Sequence, residues 1–288
     1  MNIETKLDPL IIGLILTSAL IHATWNALVK SDSDRLVTFA VVMGMGSVIG
    51  LFVAPFVEIP RAEAWPWLIT SVVIHGFYYY FLLQAYAHGD LSFVYPIARG
   101  LGPLLVAVFS GTLLAEHLTL REAIGVVLVS GGIAGVAFGH GLPRGLDIRA
   151  TVFAVLTGVT IAGYTVTDGI GARTSGDPLA YIVWLNILEG PWLILIALQR
   201  RGWGVVRHLR AHWWRGAVGG TLATVGYGIA IWALSLGSMA HVAAIRETSV
   251  LFATLMGTFI LGESLGRRRI VAAAFVVIGL LTMNLRFG

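Results

Sequence analysis

Long apolar runs, separated by short links rich in glycine, proline or charge, fill almost the whole chain. A helix needs about 20 apolar residues to cross the hydrocarbon core of a bilayer. Divided at the links, the pattern predicts ten such spans, at residues 9–30, 35–57, 65–88, 91–115, 119–140, 148–172, 178–199, 212–236, 239–262 and 267–286. We therefore predict an all-α, multi-pass membrane protein with ten transmembrane helices.

The links predict how neighbouring spans are joined. Only His88 to Asp90 separates spans three and four, and only Gly237 and Ser238 separate spans eight and nine. Both pairs of spans should therefore form tight antiparallel hairpins. The longest link, residues 200–215, holds five arginines and three tryptophans. This combination is typical of a segment that lies at the membrane interface with its arginines toward the headgroups.

The composition supports this class of protein and excludes others. Hydrophobic residues make up 57% of the 288 positions and charged residues 12%, whereas a soluble domain carries about 25% charged residues. The net charge of +4 is small, and no basic patch is interleaved with stacking aromatics, so membrane lipids but no nucleic acid are expected as partners. The chain has no cysteine, which excludes disulfides and thiolate chemistry.

The segment before the first apolar run is unlike the start of a signal peptide, which is positively charged. It holds Glu4 and Asp8 beside a single Lys6, so we expect the first run to be retained as a helix.

The second half of the chain partly repeats the first. A shift of 147 positions aligns identical residues, among them Arg99 with Arg246, Leu104 with Leu251, Glu116 with Glu263, Leu118 with Leu265, Arg121 with Arg268 and Gly132 with Gly279. We predict two repeats, residues 1–142 and 143–288. Five spans in each repeat is an odd number, so the second repeat should be inverted in the membrane. Inverted repeats place a transport site near the bilayer midplane where the halves meet.

Lysine and arginine residues outside the membrane core, in the links and at the ends of the spans, predict the orientation. The side of the membrane that holds both termini carries five of them, and the other side carries twelve. Because cytoplasmic loops carry the excess of positive charge, both termini should lie outside and the long link in the cytoplasm. We accordingly expect a multi-pass protein of the cytoplasmic membrane.

Two arginines within apolar spans, Arg99 and Arg246, are the main candidates for a binding site. A cation at that depth is costly unless it faces water or a protein cavity. In inverted repeats the two side chains should approach the midplane from opposite faces, and a planar guanidinium suits carboxylate or phosphate groups. Alternatively, each arginine pairs with a carboxylate or a backbone carbonyl and only holds helices together. Glu247 is the obvious carboxylate, but on a helix it points about 100° away from Arg246.

Aromatic and amide side chains add candidates for the lining of a cavity. Trp25 and Asn26 lie on a polar face of the first span, and an offset of 139 aligns Trp25 with Tyr164. An offset of 148 aligns Tyr79 with Tyr227. Each of these residues could instead serve in packing, in lipid contact or in hydrogen bonds between helices. They remain candidates for substrate contact.

Two carboxylates are candidates for proton coupling. Glu247 is one, and Asp168 is the other if it is buried rather than solvated at the end of its helix. We find no HExxH, no P-loop and no G-x-G-x-x-G opening a helix after a strand, so an enzyme is not expected. No metal site and no cofactor are predicted.

The chain resembles the EamA-type members of the drug/metabolite transporter superfamily over essentially its whole length. The resemblance rests on HATWNALVK in the first span, on VYPIARGLGPLLVAVFSGTLLAEHLTLREAIGVVLVSGGIAGV, and on its echo AAIRETSVLFATLMGTFILGESLGRRRIVAAAFVVIGLLTM. It implies a central cavity lined by spans one, three, four, six, eight and nine. It also implies secondary transport of a small polar metabolite, commonly export or exchange, without ATP.

We therefore predict a secondary transporter of a small anionic or zwitterionic metabolite. One alternative is an exporter of organic cations, in which the aromatics form a cage. Another is a membrane scaffold that transports nothing. Gly131, Gly135 and Gly139 recur every four residues in span five, and such a stripe favours close helix contact, either within the chain or in a homodimer.

Overall fold

A computed structural model describes residues 8–30, 32, 34–89, 91–138, 148–259 and 267–284. These residues form eleven α-helices and, among them, no strand, which confirms the all-α class. The helices are α1 (Pro9–Lys30), α2 (Arg35–Val53), α3 (Trp65–His88), α4 (Leu91–Leu114), α5 (Leu120–Phe138), α6 (Ile148–Thr174), α7 (Pro178–Arg201), α8 (Gly204–Leu236), α9 (Met239–Arg246), α10 (Thr248–Phe259) and α11 (Arg267–Asn284). Two short 3₁₀ turns, Ala54–Phe56 and Ala62–Ala64, lie between α2 and α3.

Eight helices of the described chain, α1 to α8, are long and apolar enough to cross a membrane. They correspond to the first eight predicted spans, so the protein is a multi-pass membrane protein. The ninth predicted span differs, because α9 and α10 are separate helices with Glu247 between them. In the region of the tenth, the apolar part of α11 covers only Ile270–Asn284.

The chain folds into two compact units that do not follow the predicted repeats. Unit 1 comprises Met1–Ile12, Phe77–Val166 and Gly237–Gly288, and unit 2 comprises Gly13–Gly76 and Thr167–Leu236. Each unit therefore combines segments from both halves of the sequence. Units defined by contact and repeats defined by sequence are different divisions, so the repeats 1–142 and 143–288 stay a prediction.

In unit 1, α5 packs between α4 and α11 through small residues. A Cβ on Gly100 would lie 2.9 Å from the Ser130 carbonyl oxygen, and a Cβ on Gly132 would lie 2.7 Å from the Cβ of Phe275. Such close backbone approach is the usual basis of helix packing in membranes. Gly131 and Gly135 do not take part, since a Cβ there would meet nothing within 4 Å among the described residues, and Gly139 lies outside them. A homodimer contact through this stripe stays a prediction.

In unit 2, α2 packs against α7 and α8. The Ser47 hydroxyl donates to the carbonyl of Asn186, with 2.7 Å between the oxygen atoms. The long helix α8 is irregular at His212, where φ is −129° and ψ is 28°. This irregularity coincides with the predicted start of the eighth span at residue 212. The preceding link is helical from Gly204 onward, and Trp203 is 83% exposed, as expected of an interfacial segment.

Candidate functional site

Helix α4 carries Arg99 into the interior of unit 1 without a break. Pro96 and Pro103 both lie inside this helix, although proline removes a backbone donor and strains a helix interior. A glycine on α6 allows close packing here, because a Cβ on Gly158 would lie 3.0 Å from the Ala98 carbonyl oxygen. As a result, the arginine is only 7% exposed.

The guanidinium of Arg99 is paired with a carboxylate in the same unit. Its Nη2 atom lies 3.0 Å from Oε1 of Glu247 and donates to the hydroxyl of Ser249 at 3.1 Å. Its Nε atom and the Oε2 atom of Glu247 are buried and have no hydrogen-bond partner among the described residues. The pair therefore retains one unused donor and one unused acceptor.

The break between α9 and α10 positions this carboxylate. The amide of Glu247 donates to Ala244 and Ile245 carbonyls rather than continuing a regular helix. The hydroxyl of Thr248 donates to the Ile245 carbonyl at 2.8 Å. Arg246, which is 9% exposed, interacts electrostatically with Glu247. Two buried arginines therefore lie near this glutamate, and the one that pairs with it directly is Arg99.

Tyrosines surround the arginine of this group. Tyr78, Tyr95 and Tyr164 all interact electrostatically with Arg99. The rings of Tyr78 and Tyr164 meet edge to face, with centroids 5.6 Å apart. Two of these tyrosines, Tyr79 and Tyr164, were predicted from the sequence as substrate contacts. Tyr79 is 2% exposed, and its ring lies 5.3 Å from that of Tyr78. Sequence reasoning missed Tyr95, although its position four residues before Arg99 places both on one helix face.

A second polar cluster lies in unit 2 around Asp168, which is completely buried. The expectation that this carboxylate could be solvated at the end of its helix is therefore wrong. Tyr181 and Tyr227 donate their hydroxyls to its two oxygens, at 2.9 Å and 2.5 Å. Gly171 makes room for the first of these, since a Cβ there would lie 2.6 Å from Oη of Tyr181. Two of the predicted residues, Asp168 and Tyr227, are thus in direct contact.

Helix α3 adds residues to this cluster that sequence reasoning did not propose as site residues. Both Ser71 and His75 are buried and interact with Asp168. Nε2 of His75 lies 3.7 Å from Oε1 of Glu189, and its ring lies edge to face with that of Tyr227. The spacing of four residues between Ser71 and His75 was the available signal, because it places them on one face of a helix.

The remaining predicted residues, Trp25 and Asn26, lie on α1 within unit 2. The indole of Trp25 is 8% exposed and stacks on Phe39, with ring centroids 5.9 Å apart. The amide of Asn26 donates to the backbone carbonyl of His22 at 2.8 Å. These contacts give both residues local partners, and their contact with a substrate stays a prediction.

Comparison with known proteins agrees with this architecture. The profile of the EamA-like transporter family matches residues 9–138 and again residues 148–285. A solved structure titled "Crystal structure of protein" covers 95% of this chain and 94% of its own at 17% identity, with a TM-score of 0.71. This likeness supports the fold alone. No curated protein matches the sequence. The chain belongs to the EamA-like transporter family, and so to the drug/metabolite transporter superfamily.

Proposed function

We propose that this protein is a secondary transporter, an exporter or exchanger, of a small anionic or zwitterionic metabolite across the cytoplasmic membrane. The observation that carries the proposal is the buried pair of Arg99 and Glu247, which keeps one unused donor and one unused acceptor. In this reading the arginines bind the acidic group of the substrate, and other predicted residues shape its cavity, namely Trp25, Asn26, Tyr79, Tyr164 and Tyr227.

Burial and hydrogen bonding both favour such a substrate. Buried polar groups are costly unless they are hydrogen-bonded. A substrate carboxylate could accept from the unused Nε of Arg99. A substrate ammonium could donate to the unused Oε2 of Glu247. One unused donor beside one unused acceptor therefore suits a zwitterion.

The irregular backbone at Glu247 supports a transport site at this position. Discontinuous helices in transporters place their ends at substrate and ion sites. The positive end of the α10 dipole lies at Thr248, beside this group of charges. The two matches of the family profile support a duplicated chain, and within the proposal the copies are two inverted five-helix repeats.

For coupling to protons, we favour Asp168 over Glu247. Glu247 is already paired with the permanent charge of Arg99 at 3.0 Å, and taking up a proton would give up that pairing. Asp168 is held by tyrosine hydroxyls. A carboxylate out of water is costly when it is charged, and taking up a proton removes that cost. His75 lies next to both Asp168 and Glu189.

The substrate can be found by thermal unfolding of the purified protein with amino acids, phosphonates and quaternary amines. Ligand at 100 times its dissociation constant stabilises the native state by about 2.7 kcal/mol. The best ligand is then used in counterflow into proteoliposomes. We expect Arg99→Gln and Arg246→Gln each to abolish counterflow, while Arg121→Gln, at an exposed position, retains it. Full counterflow in both buried-arginine variants would refute the anion site.

The tyrosines around Arg99 also favour a second candidate, an exporter of organic cations. Aromatic faces attract quaternary amines, and Glu247 could balance their charge. Under this alternative, quaternary amines stabilise the protein, zwitterions do not, and Glu247→Gln abolishes their transport. A membrane scaffold would show no counterflow with any of these compounds.

A further inference from the structure

A compact group of metal-ligating side chains lies outside the proposed transport site. Asp32, in the link between α1 and α2, faces His208 and His212 on α8, all in unit 2. One ligand atom from each of the three lies within 4.8 Å of the others. The Asp32 side chain is 1% exposed and that of His208 is 14% exposed.

The distance between two of these atoms suits a shared metal ion. Nε2 of His208 lies 3.5 Å from Oδ2 of Asp32. A tetrahedral ion with bonds of 2.0–2.1 Å places its ligand atoms about 3.3 Å apart. The two atoms are thus already close to the separation that such an ion would impose.

His212 supplies the observation that favours a ligand. Its Nδ1 atom is buried and has no hydrogen-bond partner among the described residues. Its backbone is non-helical, with φ of −129° and ψ of 28°. The ring lies 4.6 Å from that of His208, centroid to centroid. A buried imidazole nitrogen without a partner is costly, and a bound cation would remove that cost.

The carboxylate is held in a fixed orientation. Arg215 donates to Oδ2 of Asp32 at 2.8 Å and the amide of Asp34 donates to its Oδ1 at 3.2 Å. Such outer hydrogen bonds orient the ligands of metal sites. The charge of Arg215 opposes a cation, so binding should be weaker than at a purely structural zinc site.

We infer that Asp32, His208 and His212 bind a divalent transition-metal ion of the zinc type, with water completing the coordination. Imidazole and carboxylate ligands with one open position are typical of zinc and its spectroscopic substitute cobalt. The bound ion would fasten the start of α8 to the link between α1 and α2. This inference is independent of the transport proposal, because it uses none of the residues assigned there.

The test uses the full chain, purified in detergent without a histidine tag and treated with chelator, and titrates it with Co²⁺. We expect visible d–d absorption of tetrahedral type that saturates at one equivalent and is displaced by Zn²⁺. Asp32→Asn and His212→Ala should each weaken Co²⁺ binding at least about tenfold, since even outer partners of metal ligands contribute 10–100-fold. His117→Ala, which removes an exposed histidine outside the cluster, should leave the titration unchanged.

Two outcomes would overturn the inference. One is a wild-type protein without saturable Co²⁺ absorption, which would make the cluster a hydrogen-bond network only. The other is folded Asp32→Asn and His212→Ala variants that keep the wild-type titration. If neither variant folds, the site is tested in the wild-type protein by histidine-directed acylation mapped by mass spectrometry. We then expect Co²⁺ to protect His208 and His212, but not His117, from acylation. Equal labelling of His208 and His212 with and without Co²⁺ would refute the site.

Discussion

Single atoms decide what the two polar clusters can do. Arg99 uses one nitrogen for both Glu247 and Ser249, which leaves its Nε available to a substrate. Asp168 has hydroxyl donors on both oxygens and is thus already hydrogen-bonded. In our proposal, the first cluster binds the charged group of the substrate, and the second takes up and releases a proton.

The contact between Tyr181 and Asp168 depends on the missing side chain of Gly171. We predict that Gly171→Ala displaces the phenol ring and destabilises the protein by about 1–3 kcal/mol, the usual cost of overpacking. The new Cβ would lie 2.6 Å from Oη of Tyr181. Thermal unfolding in detergent measures the effect.

The matched control for this substitution is Gly13→Ala on α1, where a Cβ meets nothing within 4 Å among the described residues. It should leave the melting temperature unchanged or raise it slightly, because alanine has the higher helix propensity. Equal melting temperatures for Gly171→Ala and wild type would show that the ring can move without cost.

Among the helices, the start of α2 is held by a single carboxylate with two partners. Oδ1 of Asp34 accepts from the amide of Val37 at 3.3 Å as an N-cap, and Oδ2 pairs with Nε of Arg201 at 2.7 Å. The Arg201 side chain is 50% exposed, and exposed ion pairs contribute about 0–1 kcal/mol. The cap should therefore contribute more to stability than the ion pair.

We predict that Asp34→Ala destabilises the protein by about 1 kcal/mol, the usual loss on removing an N-cap. Asp34→Asn keeps the cap and removes the charge, so its free energy of unfolding should stay close to that of wild type. Both are measured by unfolding in detergent. A loss as large in Asp34→Asn as in Asp34→Ala would mean that the ion pair with Arg201 dominates.

Helices were more predictable than their interruptions and contacts. The first eight helices were predictable because each holds an apolar run of the required length. The break at Glu247 was not, since no proline or glycine marks the sequence AAIRETSV, and the cause is the local bonding of the Glu247 amide. The burial of Asp168 was equally unpredictable, because its partners Tyr181 and Tyr227 come from other helices.

For the whole molecule, the proposal assigns the binding of the substrate's acidic group and the coupling to protons to different units. The arginine pair and Glu247 belong to unit 1, whereas Asp168, His75 and Glu189 belong to unit 2. Two kinds of transport assay separate these roles. Counterflow exchanges labelled for unlabelled substrate and needs no net movement of protons, whereas accumulation driven by an imposed pH gradient does.

We predict that Asp168→Asn keeps counterflow in proteoliposomes but loses accumulation driven by the pH gradient. Asparagine can still accept from one of the two tyrosine hydroxyls through Oδ1, but it cannot take up or release a proton. Arg99→Gln should lose both activities, because it removes a binding group. If Asp168→Asn also loses counterflow while remaining folded, this carboxylate contributes to substrate binding. If it retains the gradient-driven accumulation, the proton is carried elsewhere, and Glu247 becomes the residue to test.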